Sequence, residues 1–554
     1  MSSSNSERAQ DQGYDVAVLG SGAAGLTAAL AAAVDGARVT VFEKAELLGG
    51  TTALSGGTIW IPGNRAAQAA GIDDSEEAGL EYLESLSLGM LMPELVEALI
   101  EGGPTFVDFV EEHTEIRFRL VEGYPDYHPE RPGGLPDGGR SIEVELVSFA
   151  EIEDWSEKIA GQASRLMIKE MPLGGGTGVL APEIAAERER ERLEGLGRGL
   201  VGGLLKACLG HGVRVVTRAR GTRLLTDGGA VTGVEISTPE GELNVRADAV
   251  VLATGGFEYD PDLVRDFLRG PLSRGIGAPT NTGDGLRMAM RVGAQLGNMR
   301  EAWWAPVIST PGMRRDGARN GLLTSRERAL PGTIMVNGRG RRFANEAANY
   351  NAFGGAYHQL DASRFDYVNL PSYLVFGRST VDRFGVFGGA PGDAAPGWVT
   401  TADTLAELAS ALDLPVDELE ATVERFNEHA AAGVDPDFAR GESAYDRFPG
   451  GRTLDPELPS ATLAPVEGPP FYGVEIESSA LGTKGGPRTD RDGRVLDVDG
   501  EPIWGLYAAG NVMASPSGMA YGGAGSTLAV AGVWGMYAGR AAVRDRPAVA
   551  RPTT

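Results

Sequence analysis

Near the N-terminus an unbroken apolar run, Val16-Ala17-Val18-Leu19, meets Gly20, Gly22 and Gly25 and then an alanine-rich stretch through Ala33. A short apolar run that stops at a turn signal predicts a buried strand. A following stretch that is apolar on every side predicts a buried helix. A second strand is predicted over Arg38–Phe42, closed by Glu43. Residues 75–112 predict helices with acidic exposed faces, and the acid–arginine run Glu187–Arg192 predicts a solvated helix face. Residues 141–198 are otherwise mixed and assign no element. A helix over 199–211 leads to strands at Val213–Thr217 and Thr222–Thr226, a hairpin through Gly228-Gly229 and a strand at Val231–Ile236. An apolar strand from Ala249 then ends in Ala253-Thr254-Gly255-Gly256. From about 276 to 474 the pattern changes to loops, short strands and helices, which reads as an inserted second domain. A strand entering a glycine loop returns at Trp504–Asn511, and a helix is predicted from about Thr527 to Arg540.

Strand, glycine turn, helix, strand and terminal acid follow one another within one βαβ unit, with the glycines spaced G-x-G-x-x-G. That order predicts a dinucleotide site. Gly20 permits the tight turn, Gly22 lets backbone approach a pyrophosphate, and Gly25 lets the helix pack on the strand. The helix N-terminus offers free N–H groups and the positive end of its dipole to the phosphates. Glu43 is placed to bind ribose hydroxyls. The stretch Leu48–Gly57 is a second loop of small residues, and its lack of bulk suits a flat ring lying against backbone.

Composition narrows the function. The chain has 554 residues, enough for two or more domains and a large core. Its formal net charge is −26, which argues against nucleic acid or an anionic membrane as a partner. The single cysteine, Cys208, excludes an internal disulfide and reads as a small buried apolar residue on a helix. No Cys/His cluster offers an iron–sulfur, zinc or haem site, so no metal is expected. Residues 1–12 lack the apolar core of a signal peptide and no apolar run is long enough for a transmembrane segment, so a cytoplasmic location is expected.

Five segments together resemble one large family. They are Gly20–Gly25 with Glu43, Gly49–Gly57, Val250–Gly256, Thr280–Gly285 and Gly505–Asn511. In this order they are similar to the FAD flavoproteins related to fumarate reductase and succinate dehydrogenase. The resemblance implies an α/β protein. Its Rossmann-like FAD-binding domain would be discontinuous, over 13–275 and 475–544, with an inserted α+β catalytic domain over 276–474 and flexible tails at 1–12 and 545–554. The implied FAD contacts are Gly20, Gly22, Ala23, Ala24, Gly25, Glu43, Lys44, Gly50, Thr51, Thr52, Ser55, Gly56 and Gly57. Further along they are Ala253, Thr254, Gly255, Asp284, Gly510, Asn511, Gly525, Thr527 and Leu528. Family members with covalent FAD keep a histidine in the flavin loop. None of the five histidines lies in 48–57, which implies non-covalent FAD.

Within that family, Arg342-Phe343-Ala344-Asn345-Glu346 is followed four residues later by Tyr350, where fumarate reductases carry an arginine. A tyrosine does not pair with a carboxylate as a guanidinium does, so dicarboxylate chemistry is not expected. Tyr350, the Tyr124-Pro125-Asp126-Tyr127 loop before Pro132-Gly133-Gly134, Ser55, and Tyr521-Gly522-Gly523-Ala524-Gly525 together resemble the 3-ketosteroid dehydrogenases. The roles implied are these. The Tyr521 hydroxyl and the Gly525 N–H hold the carbonyl oxygen as it becomes enolate-like. Tyr350 takes the α proton with help from Tyr127, and the β hydride goes to flavin N5. Ser55 and Tyr124 line the substrate site, while Trp303 and Trp304 either line it or pack in the core. The partners implied are an apolar, steroid-like ketone and an external electron acceptor, quinone-like or oxygen. The activity implied is 1(2)-dehydrogenation of a 3-ketosteroid. The alternatives are 4(5)-dehydrogenation of a 5α-3-ketosteroid, or oxidation or reduction of a non-steroid cyclic ketone or enone. A flavin-binding protein without catalysis is the alternative from another class, and the complete tyrosine set argues against it.

Overall fold

The first apolar run forms β1 (Tyr14–Leu19), and the glycines turn it into α1 (Ala23–Val34). The structure is a computed structural model and describes residues 13–176, 178–315, 317–451, 458 and 460–546. Gly20 has φ +109°, and a Cβ on it would lie 2.3 Å from the Ala253 carbonyl oxygen. A Cβ on Gly25 would lie 2.0 Å from the carbonyl oxygen of Gly20. Both contacts are backbone contacts, so only glycine brings the helix this close to the strand.

β2 (Val39–Phe42) and the short α2 (Gly50–Leu54) follow. α3 (Leu196–Gly210) leads to β3 (Arg214–Val216). Then β4 (Arg220–Asp227), β5 (Ala230–Thr238) and β6 (Gly241–Leu252) form a meander. The middle of the chain contributes β7 (Ala302–Ile308), β8 (Leu322–Leu323), β9 (Thr333–Asn337), β10 (Ser372–Gly377), β11 (Thr400–Ala402) and β12 (Phe471–Thr483). The chain returns through β13 (Arg494–Leu496) and β14 (Pro502–Ala508) and closes with α4 (Ser526–Arg544).

The first sheet has eight strands in the order β13-β14-β6-β1-β2-β3, with β5 joined to β6 and β4 to β5. β14, β6, β1, β2 and β3 run parallel, and Val18 stands between Val251 and Val41. Strands of a parallel sheet are covered on both faces, which is why these segments are continuous apolar runs without alternation. α4 packs directly on α1. A Cβ on Gly535 or Gly539 would lie 2.6 or 2.3 Å from the carbonyl oxygens of Ala24 and Ala28, so small residues set the spacing of the two helices.

The second sheet has six strands, in the order β8-β7-β12-β10-β9 with β11 on β12, all antiparallel. Ile334, Val336 and Val375 enter one apolar cluster, and Met335, Leu374 and Phe376 enter another. Successive side chains point to opposite faces, so both faces are covered and the sequence shows no polar–apolar alternation. β12 pairs with this sheet as far as Thr483, so it straddles the border at 474/475 drawn from the sequence.

Two local expectations change. Beyond Arg544 the chain is tied down: Asp545 accepts from Arg494, and Arg546 pairs with Asp15 at 2.9 Å. Residues 1–12 and 547–554, the rest of the expected tails, lie outside the described residues. The unassigned stretch 141–198 supplies the buried strand Ser141–Val144 and a loop carrying Ile168. Cys208 is fully buried on α3, as expected. No helix among the described residues is long and apolar enough to cross a membrane.

Candidate active site

A cavity of about 500 Å³ runs from the glycine turn after β1 to a cluster of buried tyrosines. Every residue assigned above to FAD lines it except Gly25, whose place is between helix and strand. At the nucleotide end, the Glu43 carboxylate accepts from the Ser21 N–H (3.1 Å), the Ser21 hydroxyl (2.7 Å) and the Ala45 N–H (2.9 Å). The Ser21 hydroxyl in turn accepts from the Gly49 N–H. The acid thus ties the glycine turn to the second small-residue loop while facing the cavity. Thr52 accepts from the Ala23 N–H at 3.0 Å, which satisfies one donor at the start of α1. Lys44 and Arg220 both bond Asp284, at 2.8 and 2.7 Å. Burial works to raise the Asp284 carboxyl, but Arg220 and Lys44 together hold it below the usual carboxylate range.

The stretch of cavity expected to take the flavin is built from backbone and small side chains. The Ser55 hydroxyl donates to the Thr52 carbonyl at 2.7 Å and accepts from the Gly57 N–H at 3.1 Å. Gly525 has φ +104°, and a Cβ there would lie 2.4 Å from the Thr58 carbonyl oxygen. Its N–H precedes α4 and has no hydrogen-bond partner among the described residues. A helix N-terminus facing the cavity, a carboxylate at the end of β2 and a bulk-free loop form a set that fits FAD.

At the far end the Tyr127 hydroxyl donates to Tyr350 at 2.8 Å, and the Tyr350 hydroxyl donates to Tyr521 at 3.1 Å. The three rings meet at centroid distances of 5.0–5.6 Å. All three are buried, as is Tyr124, and all four line the cavity. Burial is the main reason that the Tyr127 and Tyr350 hydroxyls titrate well above the ordinary value of 10, and neighbouring tyrosines add to it. For Tyr350 the hydrogen bond from Tyr127 works in the opposite direction, favouring the phenolate. Tyr521 is also raised by burial.

The loops that carry these tyrosines are held by groups to which the sequence reading gave no role of their own. Asp126 accepts from Trp60 Nε1 (2.7 Å), Arg140 (2.8 Å) and the Leu135 N–H (3.0 Å). Its carboxyl is pushed up to about 6 by burial, against the pull of Arg140. The Tyr82 hydroxyl donates to the Gly522 carbonyl and accepts from the His128 N–H, so it joins the Tyr127 loop to the Tyr521 loop. The Asn349 side chain caps the turn at Tyr350 and donates to the Tyr127 carbonyl. Glu346 of the Arg-Phe-x-Asn-Glu motif is fully buried between Arg342 (2.7 Å) and Arg440 (3.1 Å). That motif is therefore the scaffold beneath Tyr350. Tyr445, also unflagged, packs on the Tyr127 ring at 5.1 Å.

Trp303 and Trp304, weighed above as substrate contacts, are not among the cavity-lining residues. Adjacent residues of a strand face opposite sides. Trp303 backs the Tyr521 ring at 4.7 Å and donates to Asn511 at 3.2 Å. Trp304 faces away, against His358 and Glu301. Over the Trp303 ring, at 4.0 Å, lies the ammonium of Lys484. Fully buried, it donates to the carbonyls of Gly518, Met519 and Ala520 at 2.8–3.2 Å, directly before Tyr521. A lysine inside Gly482-Thr483-Lys484-Gly485-Gly486 was the signal available for it in the sequence. The cavity also takes in Ile168, Ile276, Arg315 and Leu323, none of which belonged to a motif.

A family model described as an FAD binding domain matches residues 15–528, and the chain belongs to this family. The protein is an FAD-dependent oxidoreductase. It is 44% identical over 536 residues to a 4-oxocyclohexanecarboxylate 2-dehydrogenase of Sinomonas cyclohexanicum, covering 95% of this chain and 92% of that protein. It is 39% identical over 570 residues to a 3-oxosteroid 1-dehydrogenase of Mycobacterium tuberculosis, covering 95% and 98%. The crystal structure of 3-ketosteroid delta1-dehydrogenase from Sterolibacterium denitrificans in complex with 1,4-androstadiene-3,17-dione matches with a TM-score of 0.87 at 33% identity, covering 96% of this chain and 99% of that one. The expected kinship with these dehydrogenases is borne out. A flavocytochrome c3 fumarate reductase shares the fold, with a TM-score of 0.60 at 21% identity.

Proposed function

We propose that this chain desaturates a cyclic ketone at the carbons α and β to its carbonyl, with 1(2)-dehydrogenation of a 3-ketosteroid as the first reading. The observation that carries it is the hydroxyl chain Tyr127–Tyr350–Tyr521, at 2.8 and 3.1 Å, at one end of an FAD cavity. FAD, when bound, supplies the two-electron acceptor for the β hydrogen. The protein's own residues handle the carbonyl and the α proton. With Tyr350 protonated, Tyr521 accepts from it; when Tyr350 is the phenolate that donation ends, and the Tyr521 proton is the one offered to the carbonyl oxygen. The unpaired Gly525 N–H is the second donor for the carbonyl oxygen. Two donors aimed at a developing oxyanion acidify the α carbon, and losing one such donor costs about 2.7–4 kcal/mol of barrier. Tyr350, as phenolate, takes the α proton, and the Tyr127 hydroxyl stabilises that phenolate. Burial of all three rings excludes water from the proton's path.

A second reading keeps this chemistry on a small, non-steroid ring ketone. It is favoured by the 44% identity to a 4-oxocyclohexanecarboxylate 2-dehydrogenase over nearly the whole chain. The test is anaerobic mixing of the yellow holoenzyme with a 4-ene-3-ketosteroid, its saturated 5α analogue and 4-oxocyclohexanecarboxylate, followed by flavin absorbance and product analysis. Bleaching by the first with a 1,4-diene product supports the steroid 1(2) reading. Bleaching by the 5α compound alone, giving the 4-ene, moves the new bond to 4(5). Bleaching by the cyclohexanone acid alone supports the second reading. No bleaching by any of the three overturns the desaturase assignment.

A further inference from the structure

We propose that Arg315 binds a carboxylate on the substrate, so that this site takes cyclic ketones bearing an acid group remote from the carbonyl. This rests on the dehydrogenase reading above and narrows its substrate class. Two cationic side chains line the cavity, Lys44 and Arg315. Lys44 is neutralised at the nucleotide end by Asp284 at 2.8 Å. Arg315 lies in the short hairpin formed by Arg314–Arg315 and Ala318–Arg319 of the catalytic half. Its Nη1 donates to the Ile276 carbonyl at 3.0 Å, and among the described residues it has no other hydrogen bond and no ion pair.

Arg314 of the same hairpin also lacks an acid among the described residues, but of the two only Arg315 lines the cavity. Acidic residues outnumber basic ones 76 to 50. Two arginines on neighbouring segments are neutralised by acids, Arg274 by Glu477 and Arg269 by Glu301, each at 2.8 Å. A half-buried guanidinium with most of its five donors unused is costly to cover with an apolar ligand, and its fork matches a carboxylate in bidentate geometry. Its location also suits a remote acid. Ile276, which anchors it, packs with Leu323 and Leu481 against the tyrosine cluster. Carbon rings held among these apolar side chains, with the ketone at Tyr521, would direct a substituent on the other side of the ring toward Arg315.

Two kinds of molecule carry this chemistry: a small oxocyclohexane acid, or a 3-ketosteroid with a side-chain carboxylate. The experiment measures kcat/KM of the holoenzyme for 4-oxocyclohexanecarboxylate and its methyl ester, and for a 3-oxo-4-ene steroid acid and its methyl ester. The expected result is an acid-to-ester ratio of about 10–100 for one of the two pairs, falling toward one in Arg315→Gln through KM. Arg315→Lys should recover part of it. Whichever pair shows the preference identifies the source. The proposal is overturned if acid and ester are turned over equally, or if Arg315→Gln slows both alike while retaining FAD. Binding of each acid is read separately from perturbation of the flavin spectrum. Binding that weakens in Arg315→Gln but gives no turnover supports the Arg315 site and removes the dehydrogenase reading. Absence of binding by either acid removes the site itself.

Discussion

The hydroxyl of Tyr127 donates to the hydroxyl of Tyr350 at 2.8 Å, across 223 residues of chain. In the proposed mechanism this donor stabilises the phenolate that takes the α proton. Tyr350→Phe removes the proposed base and keeps the ring. It is expected to retain FAD, read from the ratio of visible to ultraviolet absorbance, and to lose turnover about 10²–10⁴-fold. A variant that stays active places the base elsewhere.

The same pair sets a pH dependence. Burial raises the Tyr350 hydroxyl well above 10, so only a small fraction is phenolate near neutrality. Below that pKa the competent fraction grows tenfold per pH unit. The logarithm of kcat/KM should therefore climb with a slope near one from neutral into alkaline pH. Tyr127→Phe loses a donor to the phenolate and should move the profile to higher pH. A flat profile in wild type removes tyrosinate as the base.

Gly22 separates cofactor binding from folding. A Cβ there meets nothing nearer than Thr52 Oγ1 at 3.3 Å, unlike Gly20 and Gly25, where backbone lies within 2.3 Å. Gly22→Val should fold with native far-UV circular dichroism but purify colourless, because its side chain enters the cavity at the proposed pyrophosphate position. A yellow variant moves the pyrophosphate elsewhere.

Glu258 is expected to act on stability rather than on turnover. It is buried, Oε1 accepts from Asn281 at 2.6 Å, and Oε2 has no hydrogen-bond partner among the described residues. Burial pushes its carboxyl up to about 7. The folded chain therefore holds this proton more tightly than the unfolded chain, whose value is near 4.3, and stability contributed here falls as pH rises between those values. Glu258→Gln should flatten that part of the Tm–pH curve and raise Tm above pH 7. An unchanged curve assigns the slope to other groups.

Lys484 is expected to hold the Tyr521 turn. Lys484→Met removes the donor shared by the carbonyls of Gly518, Met519 and Ala520, which keep Asn298, Asn351 and Ser517 as partners, and a hydrogen bond lost in this way costs about 0.5–1.5 kcal/mol. Thermal unfolding should show the loss. Turnover should fall further than the fraction of folded, FAD-loaded protein, because the turn positions Tyr521. Turnover that merely tracks folded protein confines Lys484 to structure.

By itself the sequence determined the nucleotide half. Gly20, Gly25 and Glu43 act through backbone conformation and strand–helix order, which are local, so a motif of fixed spacing reports them. The tyrosines Tyr127, Tyr350 and Tyr521 were legible as well, but only by resemblance, since nothing local makes one tyrosine differ from another. What links their hydroxyls through Tyr350, at 2.8 and 3.1 Å, is tertiary: Asp126 on Trp60 and Arg140, Tyr82 bridging two loops, Asn349 on the Tyr127 carbonyl, and Glu346 locked between two arginines. The fate of Trp303 and Trp304 also depended on the strand's facing, which the sequence leaves open when both faces of a sheet are apolar. Lys484 and Arg315 carry the same lesson. A cation's meaning depends on which carbonyls, rings or acids surround it. Those neighbours come from segments far apart in the chain, so packing, not spacing, decides it.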